Sequence, residues 1–266
     1  MESTLTPEAA LASLAWQIEL GATEAIGDAP VDRYALPDRQ ATTPKQATPA
    51  PAAAAEPRTP ETTGDDPVTA ATTASAGATT LDALRAALGT YPHCALRHGA
   101  RNLVFADGLP GARVMVIGEA PGREEDIEGR PFVGRAGQLL DRMFAAIGLG
   151  RGATTPQDAL YIANVLPWRP PQNRDPNADE IAMMRPFMAR HVALANPDIV
   201  VLMGNISCEA GLGRRGITRL RGHWAEAYGK PALPMFHPAY LLRNPAAKRE
   251  AWADLLALKA RLTGGA

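Results

Sequence analysis

Arg113-Val-Met-Val-Ile-Gly-Glu-Ala-Pro-Gly-Arg-Glu-Glu-Asp-Ile-Glu-Gly-Arg-Pro-Phe-Val-Gly-Arg-Ala-Gly137 is the stretch whose reading decides the fold. Val114 to Ile117 is a short, β-branched apolar run that ends at Gly118, so it reads as a buried strand. Gly118-Glu-Ala-Pro-Gly122 then turns the chain, with two glycines permitting close backbone approach and Pro121 setting one φ. Glu119 therefore stands at the carboxyl end of a buried strand, the place where open α/β sheets bind ligands. Phe132 lies in a loop bounded by Gly129 and Gly134, where an aromatic ring is available as a stacking platform. No Gly-Lys-Ser/Thr follows the turn, which excludes a P-loop, and the glycine spacing does not match a dinucleotide fingerprint.

Outward from this stretch the pattern repeats. Buried strands are expected at Leu160–Leu166, Asp198–Gly204 and, more weakly, Ala232–Pro238, with a short strand and turn at Leu103–Gly108. Helices are expected at Leu81–Leu88, Ala136–Ile147, Pro176–Leu194, Ile206–Leu212 and Ala246–Leu262. Strands alternating with helices call for a mostly parallel, four-stranded central sheet with helices on both faces. Continuous Val/Ile/Leu runs are the mark of strands buried on both sides.

The net charge of −1 conceals two unlike halves. Residues 1–80 hold 11 acids and 4 bases, whereas residues 81–266 hold 17 acids and 23 bases, 20 of them Arg. An Arg-rich folded part behind an acidic tail fits a nucleic-acid binder; an Arg-favouring, GC-rich coding bias would produce the same excess. Ala, Thr and Pro make up 29 of residues 41–80, which reads as a disordered linker. Residues 1–40 are expected to form an N-terminal segment with one short helix over 7–25, which would dock on the core or on a protein partner. That leaves residues 81–266 as the globular domain. No apolar run is long enough to span a membrane and no signal peptide is visible, so the expected location is the cytoplasm. Cys94 and Cys208 are too far apart in sequence to form a paired zinc-ligand spacing.

Three polar residues fall at the carboxyl ends of expected parallel strands: Glu119, Asn164 and His237. A carboxylate can orient or deprotonate water, an imidazole N–H can stabilise an oxyanion, and an amide offers one donor and one acceptor side, matching the O4 and N3–H edge of uracil. With Phe132 to stack on a base and Arg169 and Arg174 beside the crevice, these are the parts needed to read a flipped base. Taken one at a time, such an Asn or His is usually a turn or structural residue; their shared edge is what gives them weight.

Gly118-Glu-Ala-Pro-Gly, Glu125-Asp, Gly129-Arg-Pro-Phe-Val-Gly-Arg-Ala-Gly, Asn164-Val, Arg169-Pro-Pro-Gln-Asn-Arg and His237-Pro-Ala-Tyr-Leu-Leu, in that order, resemble the family 4 uracil-DNA glycosylases over about residues 85–263. The resemblance implies a three-layer α/β/α sandwich and a monofunctional glycosylase that starts base excision repair on uracil-containing DNA. It implies Glu119 and His237 as catalytic residues, and Ala120, Glu125, Phe132, Asn164 and Asn173 as substrate-binding residues. In it, Glu125 would crowd the C5 edge of the base. Arg169, Arg174, Arg219, Arg221, Leu241 and Arg243 are the expected DNA contacts, and the protein is expected to be a monomer. The alternative is a protein that binds or covalently traps uracil-DNA without turnover; the basic, His-containing insertion of the trapping group is not found here.

One departure stands out. Family 4 enzymes usually hold a [4Fe–4S] cluster on four cysteines. Here only Cys94 matches; the other positions carry Tyr91, Trp168 and Arg185, and Cys208 matches none. A single thiolate cannot hold such a cluster, so no cofactor and no metal are expected, and Tyr91 and Trp168 are expected to fill its space.

Overall fold

The computed structural model describes residues 66–264. The expected N-terminal helix and the first part of the linker lie outside the described residues. The described chain builds a six-stranded sheet from β1 (Ala106–Gly108), β2 (Val114–Gly118), β3 (Leu160–Asn164), β4 (Ile199–Met203), β5 (Ala225–Ala227) and β6 (Lys230–Met235). The order is β1-β3-β2-β4-β6-β5. The central four strands run parallel, as expected, and the two short edge strands pair antiparallel. The expected four-stranded sheet is thus the core of a wider one. The short strand near Leu103–Gly108 was anticipated but not its place in the sheet. β5 was not anticipated: three residues, Ala-Glu-Ala, carry too little periodicity to announce a strand.

Alternate residues of each central strand enter opposite cores. Met115 and Ile117 of β2 join Tyr161, Val200 and Leu202 on one face, beneath helices α1 (Pro67–Ala76), α2 (Leu81–Thr90), α6 (Ala178–Ala195) and α7 (Asn205–Leu212). Between these in sequence lie α3 (Leu96–Gly99), α4 (Arg123–Glu128) and α5 (Arg135–Ala145). Val114 and Val116 join Ile162, Val201 and Leu233 on the other face, with Leu140 and Phe144 of α5. The remaining helices are α8 (Ile217–Leu220), α9 (Pro238–Arg243) and α10 (Lys248–Leu262); α10 adds Leu255 and Leu258 to the second core. The result is a three-layer α/β/α sandwich.

The expected domain start at residue 81 is corrected by α1, which lies inside the expected linker. Asp66 caps it, accepting the Thr69 N–H at 2.9 Å, and Pro67 occupies its first turn. Ala71 and Ser75 are buried on its inner side. Tyr91 donates its hydroxyl to the Pro67 carbonyl at 2.6 Å, and Arg190 of α6 donates to Ala78 O at 2.8 Å. A composition reading missed α1 because small residues supply a close-fitting face without apolar bulk.

Strand register sets the site. Gly118 pairs with Asn164, and Met203 pairs with Met235, so all four parallel strands end at one edge. β2 stands between β3 and β4, the point where the chain switches from building one side of the sheet to the other.

Candidate active site

At that edge a cavity of about 560 Å³ opens, lined by Glu119, Ala120, Glu125, Phe132, Asn164, Asn173, Arg174, His237 and Arg243 among others. Both expected catalytic residues and all five expected substrate-binding residues therefore meet in one place.

Asn164 ends β3 and is 5% exposed. Among the described residues its side-chain amide has no hydrogen-bond partner. Gly118 explains how the amide and Phe132 come together: a Cβ there would overlap Asn164 Oδ1 and lie 2.5 Å from the Phe132 ring. Phe132 is 5% exposed, so it forms one wall of a slot rather than an open platform. Its φ of 54° is the left-handed conformation that aromatic residues rarely adopt. The conformation is held from several sides. Glu125 accepts the N–H groups of Val133 and Gly134 at 3.0 and 3.1 Å. Gly137 gives the Phe132 carbonyl room that any side chain would fill. Arg151 donates to the carbonyls of Pro131 and Phe132. Glu125 thus has a part that the resemblance did not imply, since its other oxygen accepts the Gly122 N–H at 3.1 Å and it braces both turns.

His237 follows β6 and caps α9. Its Nδ1 accepts the Ala239 N–H at 3.2 Å, which leaves Nε2 to carry the proton of the neutral ring. The ring lies against Phe132, with centroids 5.4 Å apart and planes 28° from parallel. Burial, aided by the Arg243 charge, lowers the His237 pKa to about 4, so the imidazole is neutral near pH 7. Glu119 shifts the other way: burial, then the Asp175 carboxylate, raise its pKa to about 7 against the opposing pull of Arg215. The cavity therefore holds one acid poised near neutrality and one neutral imidazole.

The expected DNA contacts divide. Arg174 and Arg243 line the cavity, although Arg174 is held by a two-pronged pair with Glu180, at 2.9 and 2.6 Å. Arg169 braces Asn173, donating to Oδ1 at 2.8 Å, and Asn173 sits exposed with a φ of 52°. Arg219 belongs to α8 and is not among the residues that line the cavity. Two of the expected contacts have partners inside the fold. Arg221 is committed to the buried Asp254 and the Glu250 carbonyl, and so is a structural ion pair. Leu241 is buried with Leu139, Phe236 and Ala251, because α9 turns it into the core.

The sequence reading did not nominate Asp175, Arg215, Ile217 and Tyr240, which also line the cavity. Tyr240 stands in the His237-Pro-Ala-Tyr-Leu-Leu motif already quoted. The loop that carries Arg215 is brought in by Asn205, whose Oδ1 accepts the N–H groups of Gly216 and Ile217; no local signal announces that contact.

The positions that would hold an iron–sulfur cluster do not fit one. Tyr91, Cys94 and Trp168 are buried in the apolar core, and Tyr91 packs edge-on against Phe187 with centroids 5.2 Å apart. Burial pushes the Cys94 thiol up, away from the thiolate that iron needs, and Arg185 is exposed.

The cavity thus lies at the switch point of the sheet, beyond the carboxyl ends of its parallel strands, where open α/β folds bind their ligands. The family model of the uracil DNA glycosylase superfamily matches residues 105–256, and the chain belongs to that superfamily. Within it the similarity is to type 4. The type-4 uracil-DNA glycosylase of Thermotoga maritima is 39% identical over 154 residues, covering 57% of this chain and 77% of that protein. That of Sulfurisphaera tokodaii is 40% identical over 162 residues, covering 57% and 71%, and that of Archaeoglobus fulgidus 35% over 170, covering 60% and 82%.

Proposed function

We propose that this protein is a monofunctional uracil-DNA glycosylase that hydrolyses the N-glycosidic bond of uracil in DNA and so starts base excision repair. The observation that carries the reading is Asn164, whose side-chain amide lines the cavity at the end of β3 with no hydrogen-bond partner among the described residues. Open to the cavity, that amide is free to take its hydrogen-bond partners from a ligand. Its NH₂ suits uracil O4 and its carbonyl suits N3–H, while Phe132 walls the flipped ring.

The C1′–N1 bond breaks with its electron pair passing to the base, where charge gathers on O2. The neutral His237 donates Nε2–H to that oxygen and is aimed at charge that appears only in the transition state. Water adds to C1′, and the Glu119 carboxylate orients it and takes its proton. Glu125 holds the platform loop and limits room beside the base; Ala120 lines the pocket with its backbone. Arg243, with Arg174 and Arg169 nearby, faces the phosphates. In this reading the protein acts as a monomer in the cytoplasm, and its N-terminal segment, residues 1–40, recruits a protein partner.

Uracil-containing single- and double-stranded oligonucleotides, followed by alkali, test the reading. Strand cleavage over many turnovers supports hydrolysis. An SDS-stable complex without cleavage would make it a trapping protein instead. His237→Ala should slow single-turnover cleavage by about 10²–10³-fold, with little loss of DNA affinity, because phosphate contacts dominate binding.

A further inference from the structure

Arg151 lies between α5 and β3, and no catalytic motif includes it. Its guanidinium is nonetheless mostly buried, 16% exposed, and its donors reach three parts of the fold. Nε donates to Asp141 of α5 at 2.8 Å. Nη1 donates to Asp107 of β1 at 3.0 Å and to the Pro131 carbonyl at 2.9 Å. Nη2 donates to the Phe132 carbonyl at 2.9 Å.

We propose that Arg151 is a positioning residue for base excision, holding Phe132 in its left-handed conformation so that the ring walls the uracil slot. The two carboxylates anchor the planar fork, and the fork fixes two successive carbonyls. Glu125 grips the same loop by its next two N–H groups, so the strained residue is clamped on both sides. The Phe132 carbonyl also abuts Gly137, so freeing it would let the peptide rotate and carry the ring out of line. A lysine keeps the charge but has no planar fork to serve both carbonyls and both acids.

The proposal rests on Phe132 acting on the base, and a double-mutant cycle separates the two. Single-turnover cleavage of uracil-DNA at saturating enzyme is measured for Arg151→Lys, Phe132→Ala and the double variant, well below each melting temperature. Arg151→Lys should slow cleavage by about 10-fold or more, since displacement by an ångström can cost about 10². In the Phe132→Ala background the same substitution should have almost no further effect. Additive losses, or a wild-type rate for Arg151→Lys, would overturn the proposal. If Phe132→Ala itself cleaves normally, the stacking reading fails instead. Asp141→Asn, at a half-exposed site, loosens the same fork and serves if Arg151→Lys does not fold. It should show a smaller slowing that also vanishes without the Phe132 ring, and an unchanged rate there counts against Arg151.

Discussion

Gly118→Ala is the sharpest test of how the slot is built. Gly118 does not occupy the left-handed region, so alanine costs nothing in backbone strain and its whole effect comes from one methyl group. That methyl would sit 2.5 Å from Phe132 Cε2 and Cζ, where ordinary contact begins near 3.4 Å, and it would overlap Asn164 Oδ1 on the other side. One or both walls must therefore retreat by about 0.9 Å, the difference between those distances. Phe132 cannot follow easily, because Arg151, Glu125 and Gly137 fix its backbone. Overpacking of this kind costs about 1–3 kcal/mol of stability, and misplacement of the base-contacting groups by about an ångström costs about 10² in rate. Single-turnover cleavage of a uracil oligonucleotide should fall by about that factor, while affinity for uracil-free DNA, measured by anisotropy, stays near wild type. A folded Gly118→Ala protein that cleaves within about threefold of wild type would refute the close approach of Gly118, Phe132 and Asn164 as a requirement for excision.

Because the Glu119 pKa is raised to about 7, its carboxylate form is lost as pH falls through that value; the single-turnover rate should drop about tenfold per unit below it, and Glu119→Gln should lose this limb. The same shift makes a contribution to folding stability that is fully present below the ordinary value of 4.5 and is lost as pH rises through about 7, so the Gln variant should flatten that part of a stability-versus-pH curve. A chain starting at Asp66 should retain turnover and melting temperature, whereas one starting at Ala78 loses α1 and the Tyr91–Pro67 hydrogen bond and should melt several degrees lower. Protein purified without oxygen should be colourless with negligible iron by metal analysis; broad absorbance near about 400 nm with iron bound on Cys94 would contradict the donor set.

Much of this protein was legible in its sequence because the relevant signals are local or topological. Val114–Ile117 and Ile199–Met203 are continuous apolar runs, and such runs form parallel strands buried on both faces wherever helices alternate with them. Once the strands run parallel, whatever follows each one meets at the same edge, which brought Glu119, Asn164 and His237 together before any coordinate was known. What only the tertiary structure decided are the partners of side chains and the conformations that those partners enforce. Arg221 reaches Asp254 across 33 residues and is held in an ion pair within the fold; Leu241 is turned into the core by the packing of α9. α1 forms against α6 from small residues that composition assigns to a linker. Phe132 stands in a strained backbone held by Arg151, 19 positions away along the chain. Periodicity records which face of an element is buried, but a hydrogen bond between distant segments leaves no mark in the sequence around either partner.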